Sequence, residues 1–207
     1  MMSASVVDVE PNWPISIRGV SLKLAPFRHM VVPTCIADAE ATRLLDWFEN
    51  DAPWRLVETD FYAQYEFCLW DTPDKANVLT NSNMLCGLRG EMARAFGCEF
   101  EERVNVVAHK LTPGQRIEIH NDHLLGEETH RLILQLNREL RDEDGGLFML
   151  FNSDNASDVN VVLRPVHRSA LAFEISADSF HAVSRMHNSV RYTLIFSFYR
   201  KQDQLAG

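Results

Sequence analysis

Residues 190–199 read VRYTLIFSFY, and this stretch near the end of the chain decides the fold class. Successive side chains of a β-strand point to opposite faces, so the stretch divides into two sets. The apolar set is Val190, Tyr192, Leu194, Phe196 and Phe198. The more polar set is Arg191, Thr193, Ile195, Ser197 and Tyr199. The alternation predicts a strand with two chemically different faces.

Residues 131–137, RLILQLN, repeat the alternation and leave two interpretations open. Leu132, Leu134 and Leu136 share one face, whereas Arg131, Ile133, Gln135 and Asn137 share the other. In the first interpretation the polar faces lie in water, as is common for antiparallel sheets. In the second, the apolar faces pack under helices and the polar faces line a ligand cavity. The pattern alone favours the first.

The rest of the chain predicts an α+β fold in which helices precede a β core. Helical periodicity covers residues 37–50 and 80–96, the second with Asn81 or Ser82 as its cap and Gly97 as its stop. Strands are predicted at 103–111, 116–122, 131–137, 147–151, 159–163, 170–175 and 190–199. Short strands separated by turns indicate an antiparallel sandwich or barrel, with the helices on one outer face. We expect an irregular lead-in and a short strand before the first helix, and strands or an aromatic-rich loop at 54–70.

The composition of the chain limits which classes of function are expected. The chain has 207 residues, 46% hydrophobic and 24% charged, which suits one domain. Its net charge of −9 disfavours nucleic-acid binding. No apolar run approaches the roughly 18 residues that a membrane span needs, and the start has no signal-peptide pattern. We expect a cytoplasmic protein, and leave a homodimer open. Its four cysteines form no Cys-x-x-Cys pair and are expected to be reduced thiols.

Three residues in the β-rich half have the chemistry of a metal site. His120 and Asp122 are two apart in a predicted strand, so their side chains are expected on one face. His181 follows the apolar residues 171–173. Two imidazoles and one carboxylate can occupy one face of an iron octahedron and leave three positions for exogenous ligands. Arg191, with Thr193 on the same face, offers a guanidinium fork for a carboxylate. This constellation reverses the preference between the two interpretations, in favour of a cavity.

Residues 104–199 resemble the catalytic core of the Fe(II)/2-oxoglutarate-dependent dioxygenases, and most closely the prolyl-hydroxylase-like branch. The matching pieces are Pro113-Gly114, His120-Asn121-Asp122, residues 131–137, Gly145-Gly146-Leu147, Arg164-Pro165, residues 171–174, His181-Ala182-Val183 and residues 191–194. The resemblance implies a double-stranded β-helix (jelly roll) with the N-terminal helices packed on one sheet. It further implies one dioxygenase domain over residues 1–207, in which 1–100 support a catalytic core at 101–200.

The same resemblance implies roles for single residues. His120, Asp122 and His181 would bind Fe(II), and Arg191, helped by Thr193, would bind the distal carboxylate of 2-oxoglutarate, with O2 as the third reactant. Relatives often have a tyrosine where Gln135 stands, so Gln135 is a further candidate for a co-substrate contact.

Other polar residues near the predicted site have two readings each. Arg131 would meet an acidic group of the substrate or form an ordinary ion pair. His123 and His130 flank the loop at 124–129 and would reach the mouth of the site or be solvated, the latter being favoured. His29, His109, His167 and His187 are expected at the surface or at strand edges.

The activity implied is hydroxylation of a C–H bond in a small-molecule or amino-acid-type substrate, with release of succinate and CO2. Two alternatives stay open within the same architecture: a protein-residue (prolyl-type) hydroxylase, and a cupin-like metal- or ligand-binding jelly roll without turnover. A catalytically silent scaffold is disfavoured because all three ligands and Arg191 are present. Fe(II)-dependent release of succinate distinguishes the hydroxylases from the cupin-like protein and from the silent scaffold.

Overall fold

The computed structural model describes residues 14–60, 62–72 and 78–201, a mostly β-sheet core with few helices. Part of the expected lead-in, residues 1–13, lies outside these ranges. The strands are β1 (His29–Val32), β2 (Arg55–Glu58), β3 (Ala63–Cys68), β4 (Phe100–Leu111), β5 (Ile117–His120), β6 (His130–Gln135), β7 (Phe148–Phe151), β8 (Val159–Leu163), β9 (Ala170–Glu174), β10 (His181–Val183) and β11 (Arg191–Arg200). In the described ranges, the α-helices with both ends defined are α1 (Asp38–Asn50) and α2 (Ser82–Phe96).

The strands form two antiparallel sheets. The large sheet has the order β1-β9-β6-β11-β4-β3-β2, and the small sheet has the order β5-β10-β7-β8. Every strand pair in both sheets is antiparallel. Strands that neighbour each other in space are mostly distant in the chain, which is consistent with the jelly-roll-type architecture expected from the sequence.

Helix α2 begins and ends where the sequence predicts. The Asn81 side chain accepts a hydrogen bond from the Met84 backbone N–H at 2.9 Å, so it supplies the N-terminal cap. Gly97 follows the last turn with φ 68°, a left-handed conformation that glycine adopts without strain. Buried residues of α1 and α2 share one apolar cluster with the large sheet. None of the helices in the described ranges is long and apolar enough to cross a membrane.

The two faces of β11 have different neighbours. Leu194, Phe196 and Phe198 are fully buried in the cluster that contains the helices. Arg191, Thr193 and Ile195 point the other way and line a cavity. The interpretation in which the apolar face packs under helices and the polar face lines a cavity is therefore confirmed.

The structure corrects two details around the predicted metal ligands. The strand predicted at 116–122 ends at His120, and Asp122 lies beyond it with φ 57°. Asp122 therefore does not share a strand face with His120, and a turn brings its side chain back. His181 lies in the short strand β10, which the sequence did not predict.

Two histidines are not where the sequence placed them. His130 is 1% exposed, so its assignment to a solvated loop is wrong. It begins β6, and its ring packs against the rings of Phe96 and Phe100, each with centroids 4.8 Å away. His109 lies neither at the surface nor at a strand edge, because β4 pairs with β11 on one side and with β3 on the other.

We predict that His130 makes stability depend on pH. Burial, followed by the charges of Arg28 and Arg200, lowers the pKa of His130 to about 3. Below about pH 6.5 the unfolded chain binds a proton that the folded chain does not, so the free energy of unfolding falls as the pH falls. His130→Phe keeps an aromatic ring in place and removes this titration.

Urea denaturation between pH 6.5 and pH 5 measures the effect. The slope of unfolding free energy against pH should be smaller in His130→Phe than in the wild type by roughly 1 kcal/mol per pH unit. His187→Phe, at an exposed histidine, is the control and should keep the wild-type slope. An unchanged slope in His130→Phe would show that His130 is not buried in the neutral form.

Candidate metal centre

The pairing of β5 with β10 places two imidazoles next to each other. His120 and His181 are direct partners in the ladder, and their ring centroids are 4.3 Å apart. His120 Nδ1 lies 2.8 Å from the Glu118 carbonyl oxygen, and His181 Nδ1 lies 2.7 Å from that of Ser179. A carbonyl only accepts, so both Nδ1 atoms carry a proton, and Nε2 is the atom through which each ring would bind a metal. The Nε2 atoms face Asp122 Oδ2 at 3.5 and 3.1 Å.

Asp122 reaches the two histidines from a tight turn. Its positive φ is tolerated because Asp and Asn are the non-glycine residues that most readily adopt the left-handed region. The preceding Asn121 fixes the turn: its side chain donates to the Ala177 carbonyl at 2.9 Å, and its own carbonyl accepts from the Ser179 hydroxyl at 3.0 Å. The segments that carry Asp122 and His181 are thus hydrogen-bonded to each other.

The pKa shifts of Asp122 and His181 suit metal binding. One ligand atom from each of His120, Asp122 and His181 lies within 4.8 Å of the others. Burial acts to raise the pKa of Asp122, but hydrogen bonds with His120 and His181 and the charge of Arg131 hold it far below its ordinary value. Burial lowers the pKa of His181. A carboxylate and neutral imidazoles are the forms that bind a metal ion, so these three residues could hold one.

Arg131 uses its donors within the chain. Its Nη1 donates to Asp122 Oδ2 at 2.5 Å, and its Nε and Nη2 donate to the two oxygens of Glu128 at 2.9 and 2.7 Å. Of the two readings of Arg131, the structure supports the ion pair. Contact with an acidic group of the substrate is not supported, because the carboxylates of Asp122 and Glu128 already offset its charge.

Arg191 is the opposite case. It is 4% exposed, and its Nε and Nη2 have no hydrogen-bond partner. Burial lowers its pKa to about 10, so the guanidinium is still charged at neutral pH. An unpaired buried charge is costly, and a bidentate carboxylate is the ligand that its geometry fits best. Gly146 makes room for this side chain, since a Cβ there would lie 3.0 Å from Arg191 Cδ. Thr193, also buried, lies on the same face of β11.

One cavity of about 210 Å³ contains all of these groups. It is lined by the three candidate metal ligands, Arg131, Arg191 and Thr193, which the sequence had singled out. It is also lined by Tyr62 and by three polar residues that the sequence had not placed there: Gln64, Glu66 and His109. The alternation of polar Gln64 and Glu66 with Tyr65 and Phe67 was the available signal.

Burial, with further lowering by the charges of Arg131 and Arg191, brings the pKa of His109 to about 3, so this ring is neutral in the cavity.

Two predicted contacts do not reach the cavity. Gln135 pairs with Thr193 across β6 and β11, but it does not line the cavity, and its Oε1 lies 3.5 Å from Asn137 Nδ2. The co-substrate contact expected of Gln135 is therefore not supported. His123 is exposed and lines a separate surface groove with Leu124 and Leu125, because the chain turns outward after Asp122.

Comparison with known families identifies this core. Residues 105–199 match the family model described as the 2OG-Fe(II) oxygenase superfamily. These residues form a 2OG-Fe(II) oxygenase core. The 2OG-Fe(II) oxygenases use Fe(II), 2-oxoglutarate and O2, and the resemblance noted in the sequence is confirmed. The donor set of the cavity fits the metal, and the unpaired guanidinium of Arg191 fits the co-substrate carboxylate.

Solved structures of prolyl hydroxylases share the fold. A Pseudomonas putida prolyl-4-hydroxylase superimposes with a TM-score of 0.64 at 17% identity, over 80% of this chain and 89% of that one. A Trichoplax adhaerens prolyl hydroxylase in complex with a hypoxia inducible factor peptide gives 0.69 at 12% identity, over 83% of each chain. A viral collagen prolyl hydroxylase from Paramecium Bursaria Chlorella virus-1, in a 2OG complex, gives 0.61 at 12%, over 84% and 96%. None of the curated proteins compared matches the sequence.

Arg191→Met should change the stability of the oxygenase core in opposite directions without and with 2-oxoglutarate. Without ligands, removing the unpaired buried charge should raise the free energy of unfolding by about 1–3 kcal/mol. With Fe(II) present, 2-oxoglutarate at a hundredfold excess over its Kd should stabilise the wild type by about 2.7 kcal/mol and the variant far less. Anaerobic urea denaturation measures both changes.

Arg164→Met, at an exposed arginine paired with Asp142, is the control for loss of charge. It should behave as the wild type in the presence of 2-oxoglutarate. Equal stabilisation of wild type and Arg191→Met by 2-oxoglutarate would remove Arg191 from co-substrate binding.

Proposed function

We propose that this chain is an Fe(II)- and 2-oxoglutarate-dependent hydroxylase in which His120, Asp122 and His181 bind the iron. It would hydroxylate a C–H bond of a small-molecule or amino-acid-type substrate. The observation that carries the proposal is the placement of this cluster and the unpaired Arg191 in one cavity. We further propose that the two sheets form a double-stranded β-helix with the helices on one sheet, and that residues 1–207 are one domain.

The protein ligands leave room for the co-substrate. Three side chains can occupy one face of an octahedron, so three positions remain for 2-oxoglutarate and O2. When bound, Fe(II) supplies the redox chemistry that converts 2-oxoglutarate and O2 to succinate and CO2 and hydroxylates the substrate. The chain's own task is to hold Nε2 of both histidines and the Asp122 carboxylate in place, which the Nδ1 bonds to Glu118 and Ser179 support.

Arg191 and Thr193 orient the co-substrate in this proposal. The charged fork of Arg191 would receive the carboxylate far from the metal, and the Thr193 hydroxyl, on the same face of β11, would add a hydrogen bond. Because the guanidinium is buried, this contact is shielded from water and is worth more than a surface ion pair. One end of 2-oxoglutarate is thereby anchored on the large sheet while the other faces the metal ligands.

A protein-residue hydroxylase is the second candidate. It is favoured by the structural similarity to prolyl hydroxylases, one of which is seen with a peptide. The identity to these proteins is below 20%, so the similarity supports the fold and leaves the substrate class to experiment. A cupin-like binding protein without turnover would share the metal site and would release no succinate.

Succinate formation tests the proposed function. Purified protein with Fe(II), 2-oxoglutarate and O2 should form succinate, and chelation of Fe(II) should abolish it. His120→Ala, Asp122→Ala and His181→Ala should each lower the rate by at least about a hundredfold, since each removes a metal ligand. His187→Ala, at an exposed histidine, is the matched control. Wild-type rates in the ligand variants would refute the assignment.

We also propose that Arg131 is a positioning residue that holds Asp122 towards the two histidines. Arg131→Met should weaken Fe(II) binding by about 10–100-fold, the range typical of residues that orient metal ligands. Arg131→Lys, which keeps one charged donor, should restore part of the affinity. Anaerobic titration with Fe(II) gives the dissociation constants, and thermal unfolding separates them from loss of fold. Equal affinity in Arg131→Met would exclude the positioning role.

A further inference from the structure

The wall of the cavity formed by β3 and β4 has no role in the proposed binding of iron or 2-oxoglutarate. Glu66 and His109 are partners in the β3–β4 ladder and face the cavity together. Gln64 precedes Glu66 by two residues, so it lies on the same face of β3. Glu66 Oε2 accepts a hydrogen bond from Gln64 Nε2 at 3.0 Å and lies 3.8 Å from His109 Nε2.

Gln64 presents an unsatisfied acceptor at this wall. The residue is 2% exposed, and its Oε1 is buried without a hydrogen-bond partner. The bond from Nε2 to Glu66 fixes which end of the amide is the oxygen, because a carboxylate cannot donate. Buried acceptors without a donor are rare in proteins, and those that occur call for an explanation such as a ligand.

The unsatisfied hydrogen-bonding groups on one side of the cavity are donors, and those on the other side are acceptors. Arg191 provides free donors, and the distal carboxylate of 2-oxoglutarate would satisfy them. Arg131 already donates from each of its three nitrogens to Asp122 or Glu128, and these two carboxylates offset its charge. On the β3 wall, Gln64 offers an acceptor and Glu66 a carboxylate that is 30% exposed. A third ligand would therefore meet acceptors and negative charge at this wall.

We propose that Gln64 and Glu66 bind a positively charged nitrogen group, an ammonium or a guanidinium, of the primary substrate. The proposal rests on the proposed function, since it names the substrate class of the same cavity. A cationic group would donate to Gln64 Oε1 and pair with the Glu66 carboxylate in a partly desolvated site, where charge-assisted hydrogen bonds are strong. A neutral analogue could still donate to Gln64 Oε1 but would leave the Glu66 carboxylate without a charged partner, and an anionic analogue would be repelled by it.

Binding of L-arginine and L-citrulline tests this inference, because the two have nearly the same shape and differ in the charge of the terminal group. Isothermal titration calorimetry is done anaerobically on protein loaded with Fe(II) and 2-oxoglutarate, so turnover does not interfere. Arginine should bind the wild type at least about tenfold more tightly than citrulline, which corresponds to about 1.4 kcal/mol. In Glu66→Gln the ratio should fall to near one.

Two further variants make the test independent of folding defects. Gln64→Met keeps the volume and removes the acceptor, so it should weaken arginine binding several-fold. Glu58→Gln removes an exposed carboxylate on the neighbouring strand β2 and should keep the wild-type ratio. Equal binding of the two amino acids, no detectable binding of arginine, or a wild-type ratio in Glu66→Gln would each overturn the inference. If the protein forms succinate but binds arginine and citrulline equally well, the proposed function stands and only this substrate class is rejected.

Discussion

The antiparallel register of β5 and β10 is the constraint on which the site depends. These strands have only four and three residues, yet they make His120 and His181, far apart in the sequence, direct partners. A shift of one residue would turn one imidazole away from the other. The hydrogen bond from Ser179 to the Asn121 carbonyl and the stacking of Phe148 on His181, with centroids 5.4 Å apart, hold this register.

The two arginines that line the cavity have different partners, and this difference organises the binding site. Arg131 is neutralised by Asp122 and Glu128, so its charge stabilises the ligand carboxylate and is not offered to other molecules. Arg191 is buried with unpaired nitrogens, which costs stability unless an anion binds. The cavity thus has an anion site on the large sheet, a candidate metal site at the small sheet and an acceptor-rich wall on β3.

Local periodicity predicted much of the architecture. The alternation in 190–199 separates the helix-side core from the cavity face, and the cap at Asn81 and the stop at Gly97 bound α2 as expected. Features that depend on pairing between distant segments were not predictable in this way. The left-handed turn at Asp122, the position of His109 inside the cavity, and the commitment of Arg131 to Glu128 arise from tertiary packing. Gln64 and Glu66 are polar residues on an aromatic-rich strand, and only the pairing of β3 with β4 assigns their face.

A crystal structure of the protein grown anaerobically with Fe(II) and 2-oxoglutarate tests the central claim most directly. The account predicts one iron bonded to His120 Nε2, His181 Nε2 and the Asp122 carboxylate, with the distal carboxylate of 2-oxoglutarate on the Arg191 guanidinium. Iron bound by other residues, or a co-substrate carboxylate that leaves Arg191 unpaired, would contradict it.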